Sequence, residues 1–388
     1  MGEPRDPSEQ TIQLSSAARI IPPSFLSNER WAVESFIGPK HWKVSVPAVM
    51  LLLACIEENS RRAVLDRVAS LTLAPRENLE TLLTELERCG LIVSSDASKA
   101  NGHASICQKI PEAWAKANWS EAAEYHLSTL DYPFPDYSTN GRQIDTDRMR
   151  GYIGEEPDVD RYKRIADPVS RRDLPAPDAS LCDVPLAEAL RDYLDPDPAQ
   201  DAPVIDDAVI LNLLSMTFCE VGLIKGGRWQ RAPMMRRTSP SGGGRHPSEA
   251  YLLVMDVPGL KPGWYHVDVS PPQLSLMREA VFTDSELREL FPLGYGRAPF
   301  DVKCLVALTT IFERNMYRYR EPRTFRTVHM DIGHLATTLG LAASAHQIMT
   351  HVAYADDDEA IERSLGLDGL EEGYMLTVSL GIPSTDAQ

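Results

Sequence analysis

The first clear apolar block is VSVPAVMLLLACIEENS, beginning at Val44, and its pattern predicts a buried helix. SRRAVLDRVAS follows as a short helix. PRENLETLLTELERCG places Leu79, Leu82, Leu83 and Leu86 at helical spacing, which predicts an amphipathic helix with Gly90 as its C-cap. LIVSS then reads as a strand. Three helices and a strand are the outline of a winged helix, so residues 1–100 are read as a winged-helix-like domain. DNA binding is disfavoured, because Arg76, Glu77, Glu80, Glu85, Glu87 and Arg88 give the third helix more acid than base. A peptide- or protein-docking module and a structural arm both fit.

Residues 101–203 change character. YPFPDYSTNGRQ, EEPDVDRY, LPAPDASL and DYLDPDPAQDAP are rich in Pro, Asp and Tyr. Only WAKANWSEAAEYHLSTL predicts a helix, and the rest reads as an extended, surface-wrapped connection.

From residue 204 to 388 helices and strands interleave. DDAVILNLLSMTFCEV predicts a helix, EAYLLVMDVPG a strand and turn, and GWYHVDVSPPQLSLM a hairpin. VKCLVALTTIF predicts a buried strand, HMDIGHLATTLGLAASAHQI a long apolar helix, and GYMLTVSLGIP a closing strand. This alternation places the region in the α+β or α/β class.

The 388 residues are 43% apolar, enough for a packed core, and carry a formal net charge of -17. That charge argues against a general nucleic-acid binder. The six cysteines, Cys55, Cys89, Cys107, Cys182, Cys219 and Cys304, form no C-x-x-C pair, which suits reduced thiols. No signal peptide or membrane-length apolar run is visible, so a cytoplasmic protein is expected.

Against this acidic background, RRTSPSGGGRHP at Arg236–Pro247 is cationic, hydroxyl-rich and flexible. Glycines let backbone N–H groups converge on an anion, and Arg236 and Arg237 supply forked donors. A cofactor phosphate is the best physical match. The stretch is neither a P-loop nor a G-x-G-x-x-G turn.

Three stretches in order resemble the SagB-type dehydrogenase (azoline oxidase-like) branch of the FMN-dependent nitroreductase superfamily. They are RRTSPSGGGRHPSEAYLLV, PGLKPGWYHVDVSPPQLSLM and MYRYREPRTFRTVHMDIGHLATTLGLAASAHQ, and the ending LTVSLGIP also fits. The resemblance covers about residues 204–384. It implies an α+β nitroreductase-like FMN fold at 204–388, with a central mixed sheet flanked by helices. It also implies a homodimer with the flavin at the subunit interface. Carried over, Arg236 and Arg237 would hold the FMN phosphate and ribityl side. Ser239, Pro240, Ser241, Gly242 and Gly243 would line the flavin, and Gly381 would close the last strand near the phosphate.

Such enzymes oxidise azolines to azoles in ribosomally made peptides, with a Lys-Tyr pair as the usual base. Here the span reads NMYRYREPRTFR, with Tyr319 and Arg320 at the corresponding place and no lysine after Lys303. Tyr319 or Tyr317 is the candidate for proton transfer, with neighbouring arginines able to lower a phenol's pKa. His246 and Arg323 are candidate substrate contacts. His329 and His334 flank Asp331; a structural bond on one helix face is the plainer reading, a catalytic acid or base the other. No ligand set is spaced for a metal.

The implied function is FMN-dependent dehydrogenation in peptide natural-product maturation: azoline oxidation or desaturation of a peptide residue. The arm would contact a peptide substrate or a partner modifying enzyme. Two alternatives stand beside it. One is an NAD(P)H-dependent nitro or enone reductase; the other is a non-catalytic flavin-fold scaffold in a peptide-modifying complex.

Overall fold

The computed structural model describes residues 10–15, 17–23, 30–35, 40–57, 59–94, 113–130, 134–155, 159–178, 180, 184–185, 187–188, 190–191, 205–224 and 234–384. Cys107, Cys182 and all of DYLDPDPAQDAP lie outside them. The chain divides into two compact units, Met1–Pro135 and Asp136–Gln388. Among the described residues no helix is long and apolar enough to cross a membrane.

In the first unit, β1 (Thr11–Leu14), β2 (Ala18–Ile21), β3 (Ala32–Ser35) and β4 (Lys40–Lys43) precede α1 (Val46–Ala54). Then come β5 (Asn59–Ser60), α2 (Arg61–Leu71), α3 (Arg76–Arg88), β6 (Ile92–Ser94) and α4 (Ser120–Ser128). Strand β1 lies between β5 and β6, and β2, β3 and β4 form a separate sheet. The predicted helical leucines do bury: Leu79, Leu83 and Leu86 pack with Leu51, Leu52, Val64 and Ile12. Ser60 caps α2 by accepting from the Ala63 N–H, and Gly90 follows α3 at a φ of 72°. Arginines of α2 and α3 are drawn into ion pairs, Arg61 with Glu87, Arg76 with Asp66 and Glu80, and Arg88 with Glu85.

The second unit opens with α5 (Gly141–Glu155), β7 (Ser170–Asp173), α6 (Asp207–Phe218), β8 (Gly222–Ile224) and β9 (Met234–Arg236). After the glycine turn come β10 (Ser248–Val254), β11 (Gly263–Val269), β12 (Pro272–Glu279), α7 (Asp284–Leu290) and β13 (Asp301–Ile311). The chain ends with α8 (Glu313–Met316), α9 (Thr324–Ala345), β14 (Met349–Ala353), α10 (Asp358–Leu365) and β15 (Glu372–Ile382). Helix α5 and strand β7 fall in the stretch expected to be extended. Most of α5 is exposed and polar, so no apolar stripe announced it.

Seven strands form one sheet in the order β14-β15-β13-β10-β11-β12-β7. The expected mixed sheet is instead antiparallel at every described pairing. Topology supplies the reason. Helix α9 returns the chain so that β14 runs parallel to β13, and β15 inserts between the two, antiparallel to both. One face of the sheet buries Leu252, Val306 and Val378 against Leu214 of α6 and Leu339 of α9. The other buries Tyr251, Trp264 and Leu305 against Leu287 of α7 and Ile361 of α10. This is an α+β architecture, a sheet with helices on both faces.

Gly381 lies inside the sheet, opposite Val302 of β13 and Met349 of β14. A Cβ there would fall 2.2 Å from the Asp301 carbonyl oxygen and 2.5 Å from the Phe300 ring. The absence of a side chain is thus demanded by backbone packing. Gly381→Ala should lower the unfolding free energy of the protein stripped of small molecules by about 1–3 kcal/mol. An unchanged urea midpoint would refute that account.

Candidate active site

The site begins where β9 delivers two arginines in succession. Strand alternation leaves Arg236 exposed and turns Arg237 inward, to 6% exposure. Arg237 donates from Nη1 to the Ser248 carbonyl at 3.3 Å, while its Nη2 has no partner among the described residues. Burial pulls its pKa down to about 10; Glu249 opposes the shift and Arg314 adds to it. An anion reaching this guanidinium would match the orphaned nitrogen.

The glycine turn itself is already engaged with an anion. The Ser241 hydroxyl donates to Asp331 Oδ2 at 2.6 Å, and the Gly242 N–H donates to Oδ1 at 3.0 Å. The His246 N–H closes the loop onto Ser241 Oγ at 2.9 Å, and Ser239 donates to Thr338 at 2.6 Å. Asp331 and Thr338 both project from α9. Burial pushes the Asp331 carboxyl up, and the bonds from Ser241 and Gly242 partly offset it. Asp331 therefore bonds the loop, not a flanking histidine; His329 and His334 are exposed. Gly243 takes a φ of 62°, and a Cβ on it would fall 2.0 Å from Tyr319 Oη. The tyrosine hydroxyl thus stands against the bare Cα of the exposed Gly243, and Pro240 is exposed beside it.

Behind the loop lies a buried charge cluster that no local pattern revealed. Arg314 Nη1 pairs with Glu249 at 2.5 Å, Glu249 shares His266 at 3.1 Å, and His266 shares Asp268 at 2.9 Å. Burial alone would raise Glu249, yet Arg314, His266 and Arg237 hold it down to about 2. Burial would likewise lower His266, but its bonds to Asp268 and Glu249 raise it. Arg314 also donates to the carbonyls of Asp160 and His246, and its own carbonyl accepts from Arg245 Nε at 2.6 Å. Alongside, Lys163 reaches Tyr251 Oη at 2.6 Å and pairs with Glu372. Only alternation along β10, which turns Glu249 and Tyr251 to one face, hinted at these partners.

Tyr317 and Tyr319 follow α8 but differ. Tyr317 is buried beneath the Arg245 guanidinium, 5.7 Å from its ring centroid. Tyr319 faces Gly243. Burial raises its pKa, Arg318 pulls the other way, and Asp145 raises it further. Asp145 of α5 in turn binds Arg318 at 2.6 Å, and Arg320 lies 4.0 Å over the Tyr152 ring. The phenol is therefore protonated at neutral pH; the arginines do not overcome its burial. Arg323 sits half-buried at the start of α9.

A cavity of ≈ 600 Å³ opens beside this segment, lined in part by Phe312, Asn315, Tyr319, Phe325 and Val328. The loop residues 239–246, Tyr317, Tyr319 and Arg237 thus belong to one locality. Gly381 does not. It pairs with Val302, whereas the loop joins the sheet where Ser248 meets Thr310, about 26 Å farther along β13.

The nitroreductase family profile matches residues 199–382. The trifolitoxin-processing protein TfxB of Rhizobium leguminosarum bv. trifolii is 26% identical over 276 residues, 69% of this chain and 69% of that protein. A solved structure from Anabaena variabilis is 22% identical, covering 61% of this chain and 45% of that one, with a TM-score of 0.44. A chain of the E. coli microcin synthetase McbBCD complex with truncated pro-MccB17 bound is 17% identical, covering 64% and 94%, with a TM-score of 0.38.

His246 has a φ of 47°, is 8% exposed, and is held neutral. Burial lowers its pKa to about 4, helped by Arg237 and Arg314. Between pH 6.5 and about 4 the unfolded chain takes up this proton and the folded chain does not. Stability should therefore fall as pH drops through that window, by up to about 3 kcal/mol, and level off below it. His246→Asn should flatten that part of the profile; a wild-type slope in the variant would exclude His246 as its source.

Proposed function

We propose that this chain, whose residues 199–382 are a nitroreductase-family domain, is an FMN-dependent dehydrogenase acting on a peptide. The observation that carries the reading is the contact between Tyr319 Oη and Gly243, where the cofactor-loop candidate meets the proton-transfer candidate. The similarity to a trifolitoxin-processing protein extends over 69% of this chain, more than the family domain alone, and supports a peptide as substrate.

The residues present fit FMN in one specific respect. The Ser241 and Gly242 donors are held by Asp331, so the phosphate falls to the arginine side of the loop. Arg237 Nη2 is unmatched there and Arg236 is exposed. Both offer charge-assisted donors suited to a phosphate. Ser239, Pro240 and Gly243 would border the ring system. When bound, FMN supplies the hydride acceptor. The chain's own task is to orient the substrate carbon and remove the accompanying proton.

In this reading Tyr319 Oη takes the proton. Its raised pKa makes it a weak base at neutral pH but a competent one as the solution becomes alkaline. Azoline oxidation and desaturation of a peptide residue both require this two-electron, two-proton removal. The N-terminal unit would engage the peptide or a partner enzyme. A second copy of the chain would complete the flavin site, and Met330 of α9, 60% exposed, offers apolar surface for it.

Three outcomes are expected. The purified protein carries or takes up FMN stoichiometrically, seen in its absorption spectrum. Arg237→Met weakens FMN binding about 10- to 100-fold. Turnover rises about tenfold per pH unit below the tyrosine's pKa, and Tyr319→Phe lowers it about 10²- to 10⁴-fold without releasing flavin. Full turnover in Tyr319→Phe would remove that residue from the mechanism. Rapid flavin reduction by NADPH would favour the small-molecule reductase instead.

A further inference from the structure

Asn315, on α8, is 1% exposed, and neither its Nδ2 nor its Oδ1 has a hydrogen-bond partner among the described residues. Most buried polar groups are matched, and one left unmatched costs about 1–3 kcal/mol. Here a donor and an acceptor are both orphaned on one side chain. The same residue lines the ≈ 600 Å³ cavity.

The cavity is otherwise largely apolar, with Phe312, Met316, Pro322, Phe325 and Val328 on its walls. The Phe312 and Phe325 rings stand 6.0 Å apart. Its polar margin is already engaged: Thr324 Oγ1 donates to Glu321 at 3.2 Å, and Arg320 stacks on Tyr152. Asn315 is the orphan, and its terminal torsion is soft enough to turn toward an occupant.

A carboxamide presents one donor face and one acceptor face side by side. Its best complement is one edge of an extended peptide residue, whose own C=O accepts from Nδ2–H while its own N–H donates to Oδ1; the C=O and N–H of a single trans peptide group point opposite ways. A phosphate or carboxylate would satisfy only half of it. The volume is within the range of ligand sites, and the aromatic walls suit an aliphatic or aromatic side chain. Tyr319 lines the same cavity and also meets Gly243, so an occupant would adjoin the proton-transfer candidate.

We propose that this cavity binds one apolar residue of the peptide substrate and that Asn315 reads that residue's own backbone N–H and C=O. The inference rests on the reading of the protein as peptide-directed, and it names the part of the peptide that is recognised.

The test compares N-acetyl-phenylalanine N-methylamide with its ester analogue O-acetyl-phenyllactic acid N-methylamide, in which an oxygen replaces the phenylalanine N–H. Both are titrated calorimetrically into the protein after incubation with FMN, with its flavin content read from the absorption spectrum. Wild type should bind the amide about tenfold more tightly than the ester, the worth of one matched hydrogen bond. Asn315→Leu should erase that ratio, keep its flavin and not lose thermal stability, because it removes an unmatched donor and acceptor from the interior. Asn315→Ala gives the same ratio should the leucine not fit. Equal binding of both probes by wild type, no binding of either, or an amide preference that survives both substitutions would overturn the proposal. A yellow protein without the amide preference sinks this site and leaves the dehydrogenase. A protein that cannot take up FMN, yet prefers the amide through Asn315, does the reverse.

Discussion

One buried guanidinium holds the parts of the candidate site together. Arg314 binds the Glu249 carboxylate of β10, donates to the backbone of His246 and Asp160, and offers its own carbonyl to Arg245. Three stretches of chain, at residues 160, 245–249 and 314, therefore meet at one residue of a one-turn helix. A buried ion pair of this kind adds little net stability against an apolar replacement, but losing one partner costs about 3–5 kcal/mol because the other charge stays behind. Its main effect is to fix position. The glycine turn, Tyr317, Tyr319 and Asn315 keep their mutual placement because Arg314 cannot move without stranding Glu249.

The second constraint is Asp331. Its carboxylate satisfies the turn's Ser241 hydroxyl and Gly242 N–H and so pins the loop to α9. A Gly-rich loop is often read as a flexible anion cradle. In this protein that cradle is filled by an internal anion, which converts the flexible stretch into a rigid ledge. The ledge exposes Gly243 on one side and leaves Arg236 and the unmatched nitrogen of Arg237 on the other. Rigidity here serves chemistry, since a reacting group must be held to a fraction of an ångström.

Much of the second unit was legible because its strands are short apolar blocks between turn signals. VKCLVALTTIF became β13, and the hairpin around Ser270-Pro271 became β11 and β12. The loop was conspicuous because its arginines and glycines stand out from an acidic chain. Helix α5 was invisible, since a largely exposed polar helix leaves no apolar period to read. The tyrosine's chemistry was also misjudged from sequence. Nearby arginines suggested a lowered pKa, but burial outweighs them and Arg318 is neutralised by Asp145 from α5, itself the unread helix.

Sequence by itself determined the class of fold, the core faces of its long helix and strands, and the stretch where an anion would be handled. These depend on periodicity and local composition, which neighbouring residues carry. Tertiary structure decided which anion that is, which tyrosine meets the loop, and which amide is left unmatched. Asp331 lies 89 residues from Gly242, and Arg314 lies 65 from Glu249. Pairings at that range are set by how the sheet and α9 close on each other, and burial then sets the pKa values that no list of neighbours in the chain contains.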